Sequence, residues 1–237
     1  MTERVCDEDA RIERLLGAQD RAAELFAAVE DRGIVKPGAL DSEASAAVTD
    51  LAANLFGVER HWHKRIVRSG PNTLQPYHEN PPDRIMTDDD IVFADFGPVF
   101  DGWEGDFGRT WVIGNDPVKL RLRDDLSDVF DAGKRFFEDH EDLTAEEMYV
   151  EVVRLATERG WAFGNYHSGH LVGEFPHQNF EGERLESLMA SGNAKPLRRD
   201  DPSGLVGHWI LEVHLVDRDR QIGGFYEDLL TIPSRPR

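Results

Sequence analysis

Residues 91–110 have the sequence IVFADFGPVFDGWEGDFGRT, which contains the clearest structural signals in the chain. It opens with a short apolar run that ends at Asp95. Asp101-Gly102 follows, and this dipeptide is a strong signal for the two-residue turn of a β-hairpin. Glycines and aromatic residues continue to Gly114. The stretch therefore predicts two antiparallel strands within residues 90–114.

Two carboxylates stand where this hairpin should be apolar. With the turn at Asp101-Gly102, Asp95 faces Gly108 and Asp106 faces Gly97, so the two aspartates are diagonal neighbours on one face. Carboxylates on one buried face repel each other unless a proton or a cation lies between them. The alternative is that one aspartate caps a turn and the other is solvated.

A second pair of carboxylates repeats the pattern near residue 220. Glu212 lies in the apolar run 209–213, where an unpaired charge is costly. A hairpin that closes at Asp219-Arg220 places Glu212 directly opposite Glu227, although Gly223-Gly224 could form a bulge that changes this register. The alternative is an edge strand with both acids in water. Four inward carboxylates with an imidazole suit two divalent ions such as Mn, Fe, Co or Zn.

Helices and further strands surround these hairpins. Apolar periodicity and stop signals predict three helices, over residues 8–32, 42–56 and 117–138. A fourth helix is predicted to begin at the capping-box pattern that starts with Thr144, and Gly160 is expected to end this helix. Strands are expected over residues 209–215 and 223–232. We expect one α+β domain over residues 1–237, with the helices of residues 8–56 as part of it.

The charge, the apolar content and the cysteine count of the chain disfavour several kinds of partner and cellular location. The chain has 237 residues and a net charge of -19, which disfavours binding to nucleic acid and to anionic membranes. No apolar stretch is long enough to span a membrane, and the acidic first residues do not resemble a signal peptide. Cys6 is the only cysteine, so no intrachain disulfide forms. We expect a cytoplasmic protein without membrane or nucleic-acid partners.

Several motifs together resemble one known family. Asp95-Phe96-Gly97 with Asp106-Phe107-Gly108-Arg109-Thr110 resembles the Asp-x-Gly and Asp-x-x-Arg-Thr signature of the pita-bread metallopeptidases. That family includes methionine aminopeptidase, aminopeptidase P, prolidase and creatinase. The segment from Gly169 to His177 is similar to its Gly-His-x-x-Gly and His motif, and Glu212 and Glu227 resemble its last two metal-binding segments. The likeness runs from about residue 72 to residue 232. It is closest to Xaa-Pro peptidase-like members, without their N-terminal domain.

The resemblance implies the pita-bread fold, a curved antiparallel sheet flanked by helices, around a bridged pair of divalent ions. Manganese is favoured, with cobalt, iron or zinc as alternatives. The implied metal ligands are Asp95, Asp106, His170, Glu212 and Glu227. The implied catalytic residues, which bind substrate and transfer protons, are His78 and His177. The implied neighbours of the ligands and the substrate are Arg109, which orients a carboxylate, His167 and His214.

The function implied by the resemblance is hydrolysis of an amide by a metal-bound hydroxide. We expect an aminopeptidase or dipeptidase that cleaves Xaa-Pro-type bonds in short peptides. The alternatives are a creatinase-like C–N hydrolase or lyase acting on a small non-peptide substrate, and a non-catalytic binding module on the same fold. The oligomeric state stays open, a homodimer included.

Departures from the family pattern concern the substrate more than the metals. Val213-His214 follows Glu212, where the family usually has proline. Gln178 follows His177 in place of an acid, and Tyr166 stands four residues before His170, where a further histidine is common.

Overall fold

The structure is a computed structural model that describes residues 7–176 and 185–233. Within these residues it has four α-helices and ten strands, which confirms the α+β class. The helices are α1 (Glu8–Asp31), α2 (Asp41–Phe56), α3 (Pro117–Asp139) and α4 (Ala145–Glu158). The strands are β1 (Ile66–Ser69), β2 (Asp90–Phe96), β3 (Val99–Phe100), β4 (Trp103–Glu104), β5 (Phe107–Ile113), β6 (Ala162–Phe163), β7 (His167–Val172), β8 (Leu188–Ala190), β9 (His208–Asp217) and β10 (Ile222–Leu229).

Side-chain caps explain where the helices begin. The Asp7 carboxylate accepts a hydrogen bond from the Ala10 amide at the start of α1. Thr144 and Glu147 form the predicted capping box at the start of α4. Such caps satisfy amides that have no partner within the helix, and each stabilises it by about 1 kcal/mol. The four predicted helices are confirmed, with ends within about two residues of the expected positions.

The predicted hairpin turn is confirmed. Asp101 and Gly102 both have positive φ, at 51° and 85°, as a two-residue hairpin turn of the preferred twist requires. The resulting register pairs Asp95 with Gly108. The short strands β3 and β4 form the tip of this hairpin.

The main sheet is antiparallel and does not close on itself. Its strand order is β1-β2-β5-β10-β9-β7-β8, and β6 adds to β9. The hairpin of β9 and β10 has the predicted register, because Glu212 pairs with Glu227. The glycines at 223 and 224 keep this register, with Val216 and Leu215 as their partners.

Two apolar clusters hold the helices against the sheet. The first joins α1 and α2 to residues of β2 and β5, such as Val92, Phe96 and Phe107. The second joins α3 and α4 to alternate residues of β9, such as Trp209 and Leu211. The other face of β9 is left to Glu212 and His214, as the alternation predicted. No helix among the described residues is long and apolar enough to cross a membrane.

Candidate metal centre

One row of residues crosses four neighbouring strands and carries three carboxylates. Asp95 of β2 pairs with Gly108 of β5, Gly108 pairs with Glu227 of β10, and Glu227 pairs with Glu212 of β9. Residues that pair across antiparallel strands point to the same face of a sheet. The sheet therefore brings Asp95, Glu227 and Glu212 together on one face, and all three are buried.

Gly108 leaves space for the side chains of this row, because it has no side chain of its own. A Cβ at this position would lie 2.5 Å from the Phe225 ring and 3.2 Å from Glu227 Oε1. The side chains of β10 therefore use the space that a larger residue of β5 would fill. Asp106, just before β5, adds a fourth buried carboxylate, and its side chain is only 1% exposed.

His170 of β7 approaches these carboxylates from one side. Its Nε2 lies 3.0 Å from Asp106 Oδ2 and 3.4 Å from Glu212 Oε1. Its Nδ1 lies 2.8 Å from the Leu171 carbonyl oxygen. A carbonyl oxygen only accepts, so Nδ1 carries the hydrogen and Nε2 is the atom turned toward the acids.

His63 approaches from the other side, and the sequence analysis did not identify it. Its Nε2 lies 3.0 Å from Asp106 Oδ1 and 3.5 Å from Asp95 Oδ1. The donor atoms of His63, Asp95 and Asp106 all lie within 4.8 Å of one another, so together they could hold a metal ion. The available signal was His61-Trp62-His63, two imidazoles around an indole just before β1, but nothing in the motif pattern linked it to Asp95.

The four carboxylates have few hydrogen-bond and ion-pair partners, and this shortage favours the binding of metal cations. Glu227 Oε1 is buried and has no hydrogen-bond partner, and Asp106 Oδ2 is buried with only the His170 imidazole beside it. Among the described residues, the ion-pair contacts of the four carboxylates are with imidazoles alone. Buried unpaired oxygens are costly. A cluster of several carboxylate oxygens and imidazole nitrogens is typical of sites for divalent ions such as Mn, Fe, Co or Zn.

The acid–base properties of the cluster reflect its crowding. Burial raises the pKa of Glu227 well above its usual value, and the charges of Asp106, Asp95 and Glu212 raise it further. Burial raises the pKa of Asp106 too, but contacts with His170 and His63 outweigh it and hold that pKa well below its usual value. Burial lowers the pKa of His63, whereas Asp95 and Asp106 raise it more, to about 9. These shifts in pKa share one cause, which is the close packing of four carboxylates and two imidazoles in a buried place.

A cavity of about 320 Å³ opens over the cluster. This volume lies at the lower end of the range of small-molecule sites, roughly 300–1,000 Å³. Polar and apolar residues share its walls. The lining residues are Trp62, His63, Tyr77, Asp95, Asp106, His167, His170, Leu188, Glu212 and Glu227.

Arg109 lies behind the carboxylate row. Its guanidinium donates to the Glu227 carbonyl oxygen at 2.6 Å and to Asp228 Oδ2 at 2.7 Å. It lies between the rings of Phe107 and Tyr226, 3.6 and 3.8 Å from their centroids. Arg109 thus contacts a carboxylate, that of Asp228, the neighbour of Glu227. That it orients a carboxylate for the metal centre stays a prediction.

The two remaining predicted neighbours occupy different places. His167 lines the cavity, with Nδ1 3.6 Å from Glu212 Oε1. Burial lowers the pKa of His167 to about 3, so its ring is neutral. His214 shares a strand face with Glu212 but lies outside the lining, where its Nε2 donates to the Thr73 carbonyl oxygen at 2.8 Å.

Of the two predicted catalytic histidines, the structure describes only His78, which does not line the cavity. His78 is about half exposed, and its nearest charged contact is Glu79, at 3.5 Å. Its neighbour Tyr77 lines the cavity in its place, and the Tyr77 hydroxyl accepts a hydrogen bond from the Lys64 amide. His177 and Gln178 lie outside the described residues. The catalytic roles of His78 and His177 stay predictions.

Comparison with known proteins supports the assignment of this site to a family. The family model described as metallopeptidase family M24 matches residues 13–200. The match includes Asp95, Asp106 and His170, whereas Glu212 and Glu227 lie beyond it and join the site through the sheet register. A relative from Mycoplasma genitalium is 27% identical over 95 residues, which are 40% of this chain and 26% of that protein.

Solved structures share the fold. A prolidase from Thermococcus sibiricus is similar with a TM-score of 0.74 and 21% identity, over 95% of this chain and 56% of the prolidase chain. An X-Pro aminopeptidase from Thermotoga maritima has a TM-score of 0.75 and 16% identity, over 98% of this chain and 64% of its own. An Xaa-Pro dipeptidase from Bacillus anthracis has a TM-score of 0.74 and 21% identity, over 98% of this chain and 60% of the dipeptidase chain. This chain therefore has the pita-bread fold and spans less than two thirds of these chains.

Proposed function

The chain belongs to metallopeptidase family M24, and from that premise we propose that it is a dinuclear metal-dependent hydrolase that cleaves Xaa-Pro-type bonds in short peptides. The observation that carries the proposal is the buried cluster of four carboxylates beneath the cavity. Glu227 Oε1 has no hydrogen-bond partner, and Asp106 Oδ2 has only the His170 imidazole beside it. Two imidazoles close to Asp106 do not balance four buried carboxylates, and divalent cations would.

Five side chains are proposed to hold the ions. Bound divalent ions would polarise a carbonyl group and lower the pKa of a bound water. Asp106 would help to hold both ions, because its two oxygens face His63 and His170 on opposite sides. The proposed ligands are Asp95, Asp106, His170, Glu212 and Glu227.

The cavity walls support a small substrate with an apolar ring. Trp62, Tyr77 and Leu188 offer apolar surface beside the carboxylates, and the pyrrolidine ring of proline is apolar and lacks an N–H. The neutral imidazole of His167 lies at the same wall and can exchange a hydrogen bond with the substrate. The volume of about 320 Å³ favours a short peptide over a long one.

Metal content tests the dinuclear proposal. Protein dialysed against Mn²⁺ or Co²⁺ should contain close to two ions per chain by elemental analysis. Asp95→Asn should lose metal, whereas Asp90→Asn should retain it. Asp90 is a matched control, since it is a buried aspartate of the same strand but pairs with Arg84 at 2.6 Å. A folded wild-type protein with no bound ion would refute the proposal.

A substrate screen tests the specificity. Mn-loaded protein should release the N-terminal residue from Xaa-Pro di- and tripeptides faster than from Xaa-Ala peptides of the same length. Small amidines and guanidino compounds belong in the same screen. Turnover of these compounds with none of any peptide would replace the peptidase proposal with the C–N hydrolase or lyase alternative.

A further inference from the structure

His63 lies inside the proposed metal centre, although it is far in sequence from the motifs that define it. Its side chain is only 8% exposed, and its Nε2 faces both aspartates, at 3.0 Å from Asp106 Oδ1 and 3.5 Å from Asp95 Oδ1. The segment is fixed there by the backbone, since the Trp62 amide donates to the Gly97 carbonyl oxygen at 2.9 Å. The Trp62 indole donates to the Gly105 carbonyl oxygen at 3.0 Å.

The contacts of His63 repeat those of His170 on the opposite side of Asp106. In each residue Nδ1 lies within 2.8 Å of the carbonyl oxygen of the next residue, Lys64 or Leu171. In each, Nε2 lies 3.0 Å from one oxygen of Asp106. A hydrogen bond from Nδ1 to a carbonyl is the usual way in which a protein orients a metal-binding imidazole.

This arrangement leaves the Nε2 lone pair facing carboxylate oxygens. A carbonyl oxygen cannot donate, so the hydrogen of a neutral ring is on Nδ1. The Nε2 lone pair and the two aspartate oxygens near it are all electron-rich and repel one another. Their close contact therefore requires either a second proton on the ring or a cation among them. Nitrogen and oxygen ligands each about 2.0–2.2 Å from one ion stand roughly 2.9–3.5 Å apart, and both distances from Nε2 to the aspartates fall in this range.

Gly97 makes the approach of His63 possible. A Cβ on Gly97 would lie 2.1 Å from His63 Cδ2 and 2.4 Å from its Nε2. The imidazole therefore occupies space that any other residue at position 97 would fill, directly beside Asp95.

We propose that His63 is a metal ligand, shared with Asp95 and Asp106, so that each of the two ions has one imidazole. This inference rests on the dinuclear centre proposed above. An imidazole favours Zn, Fe or Ni more than an all-oxygen site does, since oxygen ligands alone suit Mg and Mn. Affinity at such sites also rises from Mn²⁺ to Co²⁺. The site that contains His63 should therefore prefer Co²⁺ or Zn²⁺ to Mn²⁺, and loss of the imidazole should reduce this preference.

Titration of the metal-free protein with Co²⁺ tests this assignment, with stoichiometry and the visible absorption of bound Co²⁺ as readouts. Wild-type protein should bind two ions. His63→Ala should bind one of the two ions more weakly and should alter the absorption spectrum of bound Co²⁺. The loss of affinity should exceed the roughly 10–100-fold that removal of a residue hydrogen-bonded to a ligand costs. His63→Gln keeps a polar side chain and serves if the alanine variant does not fold. His140→Ala removes an exposed imidazole just after α3, far from the proposed ligands in the chain, and should leave both readouts unchanged.

The outcomes separate the two proposals. Wild-type protein that binds fewer than two ions would overturn the dinuclear centre and this assignment with it. Two ions in wild-type protein, with unchanged affinities and spectrum in His63→Ala or His63→Gln, would overturn only the assignment of His63. A Mn²⁺ titration should show a smaller loss of affinity on substitution than Co²⁺ does, and an equal or larger loss would contradict the proposed preference.

Discussion

The substitution Gly97→Ala should weaken the binding of one metal ion while leaving every proposed ligand in the sequence. The new Cβ would start 2.1 Å from His63 Cδ2. Carbon atoms in contact are about 3.5 Å apart, so the ring has to move by roughly 1.4 Å. Ligand distances tolerate only about ±0.2 Å. The displaced imidazole therefore leaves the ion beside Asp95, and the variant should resemble His63→Ala in Co²⁺ titration.

The same substitution should lower stability. Overpacking a buried site costs about 1–3 kcal/mol, and each kcal/mol lowers Tm by roughly 2–4 °C in a protein of this size. The assay is thermal unfolding of the metal-free protein beside the Co²⁺ titration, because the packing effect is present without metal and the ligand effect is not.

Gly17→Ala is the matched control. Gly17 lies within α1, and a Cβ there would meet no atom within 4 Å. Alanine in a helix interior should stabilise the protein by about 0.5–1 kcal/mol relative to glycine, with both ions retained. If Gly97→Ala bound two Co²⁺ ions with wild-type affinity, then His63 would not depend on Gly97 for its position, and the argument from close packing would be wrong.

Four further predictions concern the remaining residues. Glu227→Gln removes charge from the centre of the carboxylate row and should weaken metal binding and turnover with the fold retained; unchanged metal content would exclude Glu227 as a ligand. Removal of metal with a chelator should lower the free energy of unfolding in urea, and one ion restored at 100 times its Kd should return about 2.7 kcal/mol; an unfolding curve indifferent to metal would contradict this. Arg109→Lys should cost about 1–3 kcal/mol, because an ammonium cannot reach the Glu227 carbonyl and Asp228 together, and a melting temperature equal to wild type would argue against that role. His177→Ala should retain both ions and slow turnover about 100- to 1000-fold, whereas loss of metal would make His177 a ligand.

The hairpins were predictable because their signals are local. Asp101-Gly102 supplies the turn, and alternation along β9 leaves Glu212 on the face away from the apolar side chains. Once each turn is placed, the pairing of Asp95 with Gly108 and of Glu212 with Glu227 follows from counting alone. Helix ends were predictable for the same reason, since caps are formed by residues three positions apart.

The position of His63 could not be predicted from local signals. It lies in an irregular segment, where no period fixes the direction of a side chain. The predicted hairpin register pairs Gly97 with Asp106, but it does not show that an imidazole from 34 positions earlier in the chain packs against this glycine. The loop before β2 shows the same limit, because a turn places Tyr77 in the cavity wall and His78 at the surface.

The strand order also determines when the site can assemble during biosynthesis. β5 (Phe107–Ile113) has β10 (Ile222–Leu229) as its neighbour, so more than a hundred residues separate the two partners in the chain. Such long-range pairing closes late, because the entropy of a long loop must be overcome first. A chain made only as far as β7 contains Asp95, Asp106 and His170 but neither Glu212 nor Glu227. The proposed set of ligands is therefore incomplete until β10 has been made, so the earlier strands make their first contacts before the whole centre can assemble.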